Sequence, residues 1–268
     1  MKPQIETFFD REKIEYYTAI SYSDCKEISR EIIQRESFEP KSVIVFLLPY
    51  YTGETVNISR YAASLDYHII IKEITDKLIS LLKTLYPENS FRGYGDHSPI
   101  DEGHAAVIGG LGIFGENRLL INEKYGTYVF IADVVSDVPP EEFFAKAPQK
   151  LKFCEGCGKC KSACPTGILR GECSECLSQI TQRKGDLTEE EIEIMRKVNT
   201  VWGCDECQRH CPHNASPEIT PIAFFHRERI DKLTGEILSG MNKEEFSRRA
   251  FAWRKRKTVE RNLEKLGY

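Results

Sequence analysis

The spacing of the cysteines constrains this chain more than any other feature of its sequence. Nine of its 10 cysteines lie between positions 154 and 211 of 268. The first run, "CEGCGKCKSACP" at 154–165, has the pattern C-x2-C-x2-C-x3-C followed by proline. Bacterial ferredoxins bind [4Fe–4S] clusters with this pattern. A second run, "CDECQRHCP" at 204–212, also ends in Cys-Pro. Two clusters are therefore predicted.

The ferredoxin pattern assigns most of the cluster ligands. Three cysteines of such a run ligate one cluster, and the cysteine before proline ligates the other. The first cluster is predicted on Cys154, Cys157, Cys160 and Cys211, and the second on Cys164, Cys204, Cys207 and a fourth residue. Spacing leaves Cys173 and Cys176 open for that fourth place. A zinc ribbon also uses C-x2-C pairs, but it needs neither the extra cysteine nor the proline.

The remaining composition favours a cytoplasmic protein with redox cofactors. The net charge is −4, so the surface as a whole is not that of a nucleic-acid-binding protein. The longest apolar run, at 42–51, is too short to cross a bilayer, and the N-terminus lacks the apolar segment of a signal peptide. In a reducing compartment, clustered cysteines indicate metal ligands rather than disulfides. Cys25 stands apart and is expected to be a structural or surface thiol.

The distribution of cysteines predicts three segments. These are a cysteine-poor domain at 1–148, a cysteine-rich module at 149–217 and a basic helical tail at 218–268. The proline-containing stretch "SDVPPEEFFAKAP" is the expected linker before the module.

Hydrophobic patterns predict three regular elements in the first segment. A buried strand is expected at 40–50, an amphipathic helix at 65–87 and a second strand at 126–137. Helices packed on a sheet indicate the α/β or α+β class.

The glycine-rich stretch at 109–121 contains Gly110-x-Gly112-x-x-Gly115, which formally matches the dinucleotide fingerprint. That fingerprint requires a strand before it and a helix after it, whereas the preceding residues look helical. NAD binding is therefore disfavoured. The glycines would let the backbone approach a flat cofactor closely, although a tight turn would have the same composition.

Several stretches in one order resemble epoxyqueuosine reductases. They are "SRYAASLDYHIII" at 59–71, "GDHSPIDE" at 95–102, the segment 109–135 and the cysteine module. Members of that family are cobalamin-dependent iron–sulfur enzymes that act on a modified wobble base of tRNA. The glycine-rich stretch also resembles reductive dehalogenases. The resemblance extends from about residue 40 to the last residue.

The resemblance implies an α+β fold, with a nitroreductase-like cobalamin-binding domain followed by a double [4Fe–4S] ferredoxin-like module. It places the corrinoid over the glycine-rich stretch, with expected contacts at Gly110, Gly112, Gly115, Asn117, Leu120 and Ile131. It also selects Cys176 as the missing ligand, through the segment "CLSQIT", and leaves Cys173 as a spare thiol.

Asp96 occupies the place of the family's proton-donating aspartate, in a D-x-[SGA]-P context. A turn residue before Ser-Pro is the alternative role for this side chain. His68 is expected to cap or pack a helix, with a ligand or catalytic role as the alternative. Tyr61 and Asp66 are candidates for walls of the cofactor pocket.

The sequence departs from the family pattern in three places. Gly103 stands where an arginine is usual, and Glu116 stands where a basic residue is common. Longer members continue into C-terminal helical repeats that help to grip tRNA, and this sequence ends at Tyr268, near the point where those repeats begin. The cofactor is therefore better supported than the substrate.

The expected function is a cobalamin-dependent iron–sulfur reductase that acts on epoxyqueuosine or a related electrophile. Two other functions are considered: a ferredoxin-type electron carrier or reductive activator, and a corrinoid-binding protein without turnover. The expected partners are an external one-electron donor of the flavodoxin or ferredoxin type and a tRNA anticodon stem-loop, with no membrane. The basic run Arg254, Lys255, Arg256 and Lys257 is the candidate RNA-facing patch.

Overall fold

The computed structural model describes residues 2–268, and their contacts form two compact units. The first unit combines the chain up to Pro49 with His68–Glu155, and the second combines Tyr50–Tyr67 with Gly156–Tyr268. This division differs from the predicted boundaries, because residues 50–67 and the C-terminal residues belong to the same unit as the cysteine-rich module. Asn57, for example, exchanges two 2.8 Å hydrogen bonds with the backbone of Leu233.

A four-stranded antiparallel sheet organises the first unit. Its strands are β1 (Tyr17–Ser21), β2 (Ser42–Pro49), β3 (Phe91–Tyr94) and β6 (Val129–Ser136), in the order β1-β2-β6-β3. Every residue of β2 is buried, as expected for a central strand with helices on both faces. The register pairs Val45 with Asp133, so an acidic side chain enters the middle of the sheet. Both predicted strands are confirmed.

Four helices accompany this sheet: α1 (Pro3–Arg11), α2 (Arg30–Gln34), α3 (Tyr67–Leu85) and α4 (Glu102–Ile108). The predicted long helix is confirmed as α3. It buries Ile70, Ile74, Leu78 and Leu82, which recur every four residues along one face. Helix α4 packs against β2 and β6, and Asp101 caps its first turn by accepting a 3.0 Å hydrogen bond from the His104 backbone.

The glycine-rich stretch follows helix α4 and leads into a short hairpin, β4 (Ile113–Phe114) and β5 (Leu120–Ile121). The strand-then-helix context of a dinucleotide site is therefore absent from this part of the described chain. A side chain at Gly112 would place its Cβ only 2.5 Å from the carbonyl oxygen of Ile121. Gly112 is thus required by the close packing of the hairpin backbone.

The second unit is mainly helical. Its helices are α5 (Lys159–Ala163), α6 (Leu177–Gln182), α7 (Glu189–Val198), α8 (Glu206–Arg209), α9 (Gly235–Gly240), α10 (Lys243–Ser247) and α11 (Arg256–Leu266). Its core joins Trp202 to Phe251, Val259 and Leu263 from the C-terminal segment. The predicted tail is therefore an integral part of this unit's core. No helix within residues 2–268 combines the length and apolarity needed to span a membrane.

Candidate active site and cluster-binding cysteines

An open cavity of about 370 Å³ lies in the first unit, between the loop before α4, the β4–β5 hairpin and strand β6. Its apolar lining comes from Ile28, Ile100, Phe114, Leu119, Leu120, Val129, Phe130 and Ile131. Its charged lining comes from Asp96, Asp101, Glu102 and Arg118. The cavity thus combines apolar walls with convergent polar groups, as small-molecule sites do.

Asp96 lies at this cavity in an unusual backbone conformation. Its φ is +66°, in the left-handed region that a residue with a side chain seldom adopts. Its backbone N–H donates a 3.1 Å hydrogen bond to Oε1 of Glu102, which holds the loop in this conformation. Its Oδ2 lies 3.5 Å from Nε2 of His68. The structure therefore brings together two predicted residues that no local pattern in the sequence would pair.

Two further carboxyl groups belong to this site, those of Glu102 and Asp133. The sequence analysis predicted a functional role for neither of them. Glu102 keeps part of its surface open to the cavity, although most of its carboxyl group is surrounded by protein. Burial, together with the negative charges of Asp133 and Asp96, raises its pKa to about 9. The only signal in the sequence was its distance of six residues from Asp96.

Asp133 is completely buried, and neither of its carboxylate oxygens has a hydrogen-bond partner among residues 2–268. Burial raises its pKa to about 7, and the nearby Ser98 hydroxyl lowers the pKa only partly in return. An acidic residue inside the apolar run of β6 was the available signal, since such a residue is seldom buried without a role.

The six predicted cofactor contacts fall into two groups. Leu120 and Ile131 line the cavity. Gly110, Gly112, Gly115 and Asn117 are not among its lining residues and belong to the stretch that builds the hairpin. The Gly115 backbone N–H bonds the Leu119 carbonyl at 2.9 Å, and the Asn117 side chain accepts from the Leu119 backbone N–H at 3.3 Å.

The same hairpin holds Cys154. The Cys154 backbone N–H donates a 2.8 Å hydrogen bond to the Phe114 carbonyl. The Glu116 backbone N–H in turn lies 3.4 Å from the Cys154 sulfur. Because the interaction uses the backbone, the acidic side chain of Glu116 does not interfere with it. The Phe153 ring stacks on Phe114 with centroids 5.9 Å apart, although 68% of Phe153 remains exposed.

The other predicted ligands lie in the second unit. Helices α5 and α8, which carry Cys160 and Cys207, pack against each other. Burial, together with negative charge on Cys176, Asp205, Cys164 and Cys160, raises the pKa of Cys207 to about 12. The pKa of Cys204 is raised by burial and then by Cys176 and Cys207 among its neighbours. Cys211 follows α8 and is partly buried, and Cys157 is exposed.

Cys176 and Cys173 differ in their surroundings. Cys176 stands close enough to Cys164, Cys204 and Cys207 for the charges to interact. Cys173 is exposed, and its sulfur lies 3.4 Å from the Glu175 backbone N–H. No three cysteine, histidine or carboxylate side chains within residues 2–268 are grouped as the ligands of a single metal ion would be.

A buried ion pair supports the second cysteine run. Asp205, between Cys204 and Cys207, accepts hydrogen bonds from the backbone N–H of Arg60 at 2.8 Å and from its guanidinium at 3.1 Å. The Ser59 hydroxyl also donates to Asp205. Both charged side chains are about 95% buried, so the pair fixes the cysteine loop from the inside.

The two predicted pocket-wall residues have structural contacts in the second unit. The Tyr61 hydroxyl accepts hydrogen bonds from Nε1 of Trp202 at 3.0 Å and from Gln182 at 3.3 Å. The Asp66 backbone N–H donates to the Arg248 carbonyl at 2.8 Å.

The basic run near the C-terminus divides into two parts. Arg256 is used internally, because its guanidinium donates to the carbonyls of Leu238 and Met241. Arg254 instead lies over the ring of Trp253, 3.7 Å from the centroid. Trp253 is 58% exposed, so it does not pack into the core as the nearby Phe251 does. Lys255 and Lys257 are also exposed.

Comparison with known proteins identifies the family to which this chain belongs. The family model "Epoxyqueuosine reductase QueG, DUF1730" matches residues 30–97, and "4Fe-4S double cluster binding domain" matches residues 153–214. The epoxyqueuosine reductase of Leadbetterella byssophila is 32% identical in an alignment of 239 positions, which covers 83% of this chain and 76% of the relative. The chain belongs to the epoxyqueuosine reductase family.

Other members of the epoxyqueuosine reductase family agree with this result. The Listeria monocytogenes relative is 28% identical over 279 residues, which cover 96% of this chain and 71% of that protein. A crystal structure of an epoxyqueuosine reductase with an epoxyqueuosine-modified tRNA-Tyr stem-loop has a TM-score of 0.75 at 22% identity and covers 97% of this chain and 80% of that one. The predicted α+β fold is confirmed, and the cysteine module is a double [4Fe–4S] cluster binding domain.

Proposed function

We propose that this protein is a cobalamin-dependent epoxyqueuosine reductase that converts epoxyqueuosine to queuosine in tRNA. The observation that carries the proposal is the Asp96 carboxyl group at an open cavity lined by both apolar and polar side chains, in a chain that also contains a double-cluster module. Relatives at 28% and 32% identity bear the name of this enzyme.

The chemistry of the cavity suits one side of a corrin ring. Phe114, Leu120 and Ile131 offer an apolar wall that is open to solvent on one side, and a flat apolar ring would cover it. Bound cobalamin would supply a strongly reducing cobalt centre that acts on a carbon electrophile. We assign direct contacts to Leu120 and Ile131. Gly110, Gly112, Gly115 and Asn117 are assigned to shaping the hairpin beside that wall.

Asp96 is assigned as the acid that protonates the substrate oxygen. Its carboxyl group lines the cavity, and its backbone is held by Glu102, so it can present its proton to a bound electrophile without rearrangement. His68 lies 3.5 Å away and is assigned to orient the carboxyl group.

The cysteines are assigned to two clusters that carry electrons singly. The first would be bound by Cys154, Cys157, Cys160 and Cys211, and the second by Cys164, Cys176, Cys204 and Cys207. The mutual electrostatic effects of the second set support Cys176 over Cys173. An external donor of the flavodoxin or ferredoxin type would supply the electrons one at a time.

A tRNA anticodon stem-loop is the proposed macromolecular substrate, as in the solved relative with its modified stem-loop. The proposed RNA-facing patch is Trp253, Arg254, Lys255 and Lys257. It pairs an exposed aromatic ring with cations, which suits stacking on a base beside a phosphate. Arg256 is left out of the patch because it holds α11 to the rest of its unit.

The deciding experiment is anaerobic reconstitution with iron, sulfide and cobalamin, followed by reaction with a synthetic anticodon stem-loop that contains epoxyqueuosine. Mass spectrometry of the nucleosides should show loss of one oxygen atom, dependent on both cobalamin and the reductant. Protein with complete clusters and bound cobalamin that leaves the nucleoside unchanged would contradict the proposed function.

A further inference from the structure

The stoichiometry of the proposed reaction calls for a second acid. Epoxyqueuosine and queuosine differ by an epoxide oxygen. Its removal breaks two C–O bonds, forms a C=C bond and releases the oxygen as water, which consumes two electrons and two protons. The external one-electron donor supplies the electrons in two steps. Asp96 holds a single proton, so another group must provide the second or refill Asp96 within the same turnover.

Among the residues that line the cavity, the acidic side chains are Asp96, Asp101 and Glu102. Asp101 is committed elsewhere. It caps α4 through the His104 backbone N–H and pairs with Lys26 at 3.1 Å. These contacts outweigh burial and lower its pKa, so Asp101 stays ionised and has no proton to give. Glu102 is the remaining acid in contact with the cavity.

We propose that Glu102 is the second general acid of the reaction, which donates its proton to the departing oxygen after Asp96 has donated the first. The proposal rests on the proposed function. It also rests on position: Glu102 lines the same cavity as Asp96 and is fixed to the Asp96 backbone by a 3.1 Å hydrogen bond. The two acids therefore face one occupant from adjoining points.

The surroundings of Glu102 favour its protonated form at neutral pH. The groups that act on it are Asp96 in the preceding loop, Asp101 at the start of its own helix and Asp133 on β6, and Arg118 is the cation across the cavity. Burial and these like charges raise its pKa to about 9. A general acid works best when its pKa lies near the working pH, so that it is both protonated and able to donate.

Asp133 would favour the protonated form of Glu102 through its charge. It is fully buried, it has no hydrogen-bond partner among residues 2–268, and Cys25 and Tyr94 are the other titratable groups on which its charge acts. Its negative charge is among the causes that raise the pKa of Glu102. Asp133 acts only through Glu102 and is therefore a positioning residue.

The test uses reconstituted, fully reduced protein in single-turnover reactions with the epoxyqueuosine stem-loop over a range of pH. Glu102→Gln keeps the size and the hydrogen-bond acceptor but has no acidic proton, and should be slower by about 100-fold or more. The wild-type rate should fall above a pH near 9, and the variant should lack this decline. Glu102→Asp, which remains an acid, should recover part of the rate. Glu88→Gln, an exposed carboxylate in the same unit, is the matched control.

A second measurement does not depend on turnover. Infrared difference spectra with isotopically labelled glutamate should contain a protonated carboxyl band that titrates near pH 9 and is missing from Glu102→Gln. Asp133→Asn removes a like charge and should shift both this titration and the decline in rate to lower pH. Iron content, cobalamin uptake and stem-loop affinity should match the wild type in every variant.

The two proposals fail in different ways. If Glu102→Gln converts the stem-loop at the wild-type rate with the same pH profile, or if the protonated band is absent, the assignment of Glu102 is overturned and the proposed function stands. If the wild type itself converts no epoxyqueuosine, the proposed function fails and this assignment fails with it.

Discussion

The two units bury negative charge in different ways. In the first unit, Asp133 is fully buried and Glu102 is partly buried, and burial raises the pKa of both carboxyl groups, which favours their protonated forms. In the second unit, the carboxylate of Asp205 is buried against the guanidinium of Arg60, 3.1 Å away. A buried carboxyl group without a neighbouring cation favours its protonated form. A buried carboxylate that is paired with a cation can instead fix the backbone around it. The first unit is therefore suited to proton chemistry and the second to holding cluster ligands.

The largest expected effect is on the second cluster. Cys176→Ala should lower the iron content of reconstituted protein from about eight atoms, which is two clusters of four, to about four. Turnover should disappear, because the electron path is broken. Iron analysis and electron paramagnetic resonance measure both results. Cys173→Ala is the matched control and should retain both clusters. The ligand assignment is wrong if the two variants behave in the reverse way.

Removal of the first acid tests the proton chemistry of the first unit directly. Asp96→Asn should reduce the rate of epoxyqueuosine reduction by about 100- to 10,000-fold, the range typical for loss of a general acid. Both clusters and cobalamin binding should remain, because Asp96 and Asn have nearly the same size and no predicted cysteine ligand lines the cavity at Asp96. A rate close to that of the wild type would remove Asp96 from the mechanism.

The ion pair of the second unit predicts a loss of stability. Arg60→Met leaves Asp205 buried without its cation, which should cost about 3–5 kcal/mol in the free energy of unfolding. The double variant Arg60→Met with Asp205→Asn should recover part of this loss, because no unpaired charge remains. Anaerobic denaturant unfolding measures both. Equal stabilities of the single and double variants would mean that the buried charge is not the cause.

Asp133 should make the stability of the first unit fall as the pH rises. Folding raises its pKa from 3.8 to about 7, so its contribution to stability is fully present below the lower value and is lost as the pH rises through the higher one. Between about pH 5 and about pH 8, the free energy of unfolding should therefore fall less for Asp133→Asn than for the wild type, by on the order of 2 kcal/mol. Thermal unfolding at several pH values would test this, and parallel curves for the two proteins would exclude it.

The smallest predicted effect concerns RNA. Trp253→Ala should weaken binding of the epoxyqueuosine stem-loop by about 1–3 kcal/mol, the usual value of one stacked base. Reversal of the charges of Arg254, Lys255 and Lys257 should instead flatten the dependence of affinity on salt. Phe246, which packs against Phe251, is unsuitable as a control because its loss would disturb the core. Ile237, an exposed apolar residue of α9, is better, and Ile237→Ala should bind normally.

The features that sequence predicted best are those governed by local patterns. Strand β2, strand β6 and helix α3 follow from runs and periodicities of apolar residues. The double-cluster module follows from ligand spacing. Resemblance, rather than periodicity, singled out Asp96, and nothing local indicated that His68 would stand 3.5 Å from it.

The features that sequence did not predict depend on contacts between distant segments. The burial of Asp133 requires α4 to pack over β6. The inclusion of residues 50–67 in the second unit depends on hydrogen bonds between residues 176 positions apart, as for Asn57 and Leu233. The exposure of Trp253 could not be deduced from its aromatic neighbours, because Phe251, two residues before it, is fully buried.

The hydrogen bond between Cys154 and Phe114 has a consequence for the movement of electrons. Tunnelling passes more readily along covalent and hydrogen bonds than across empty gaps. A predicted cluster ligand and a wall of the cavity are joined by a single 2.8 Å contact, within a hairpin whose tight glycine packing leaves little freedom. The electronic coupling between a cluster ligand and whatever occupies the cavity would then be set by a rigid stretch of backbone, which side-chain substitutions in the cavity would leave unaltered.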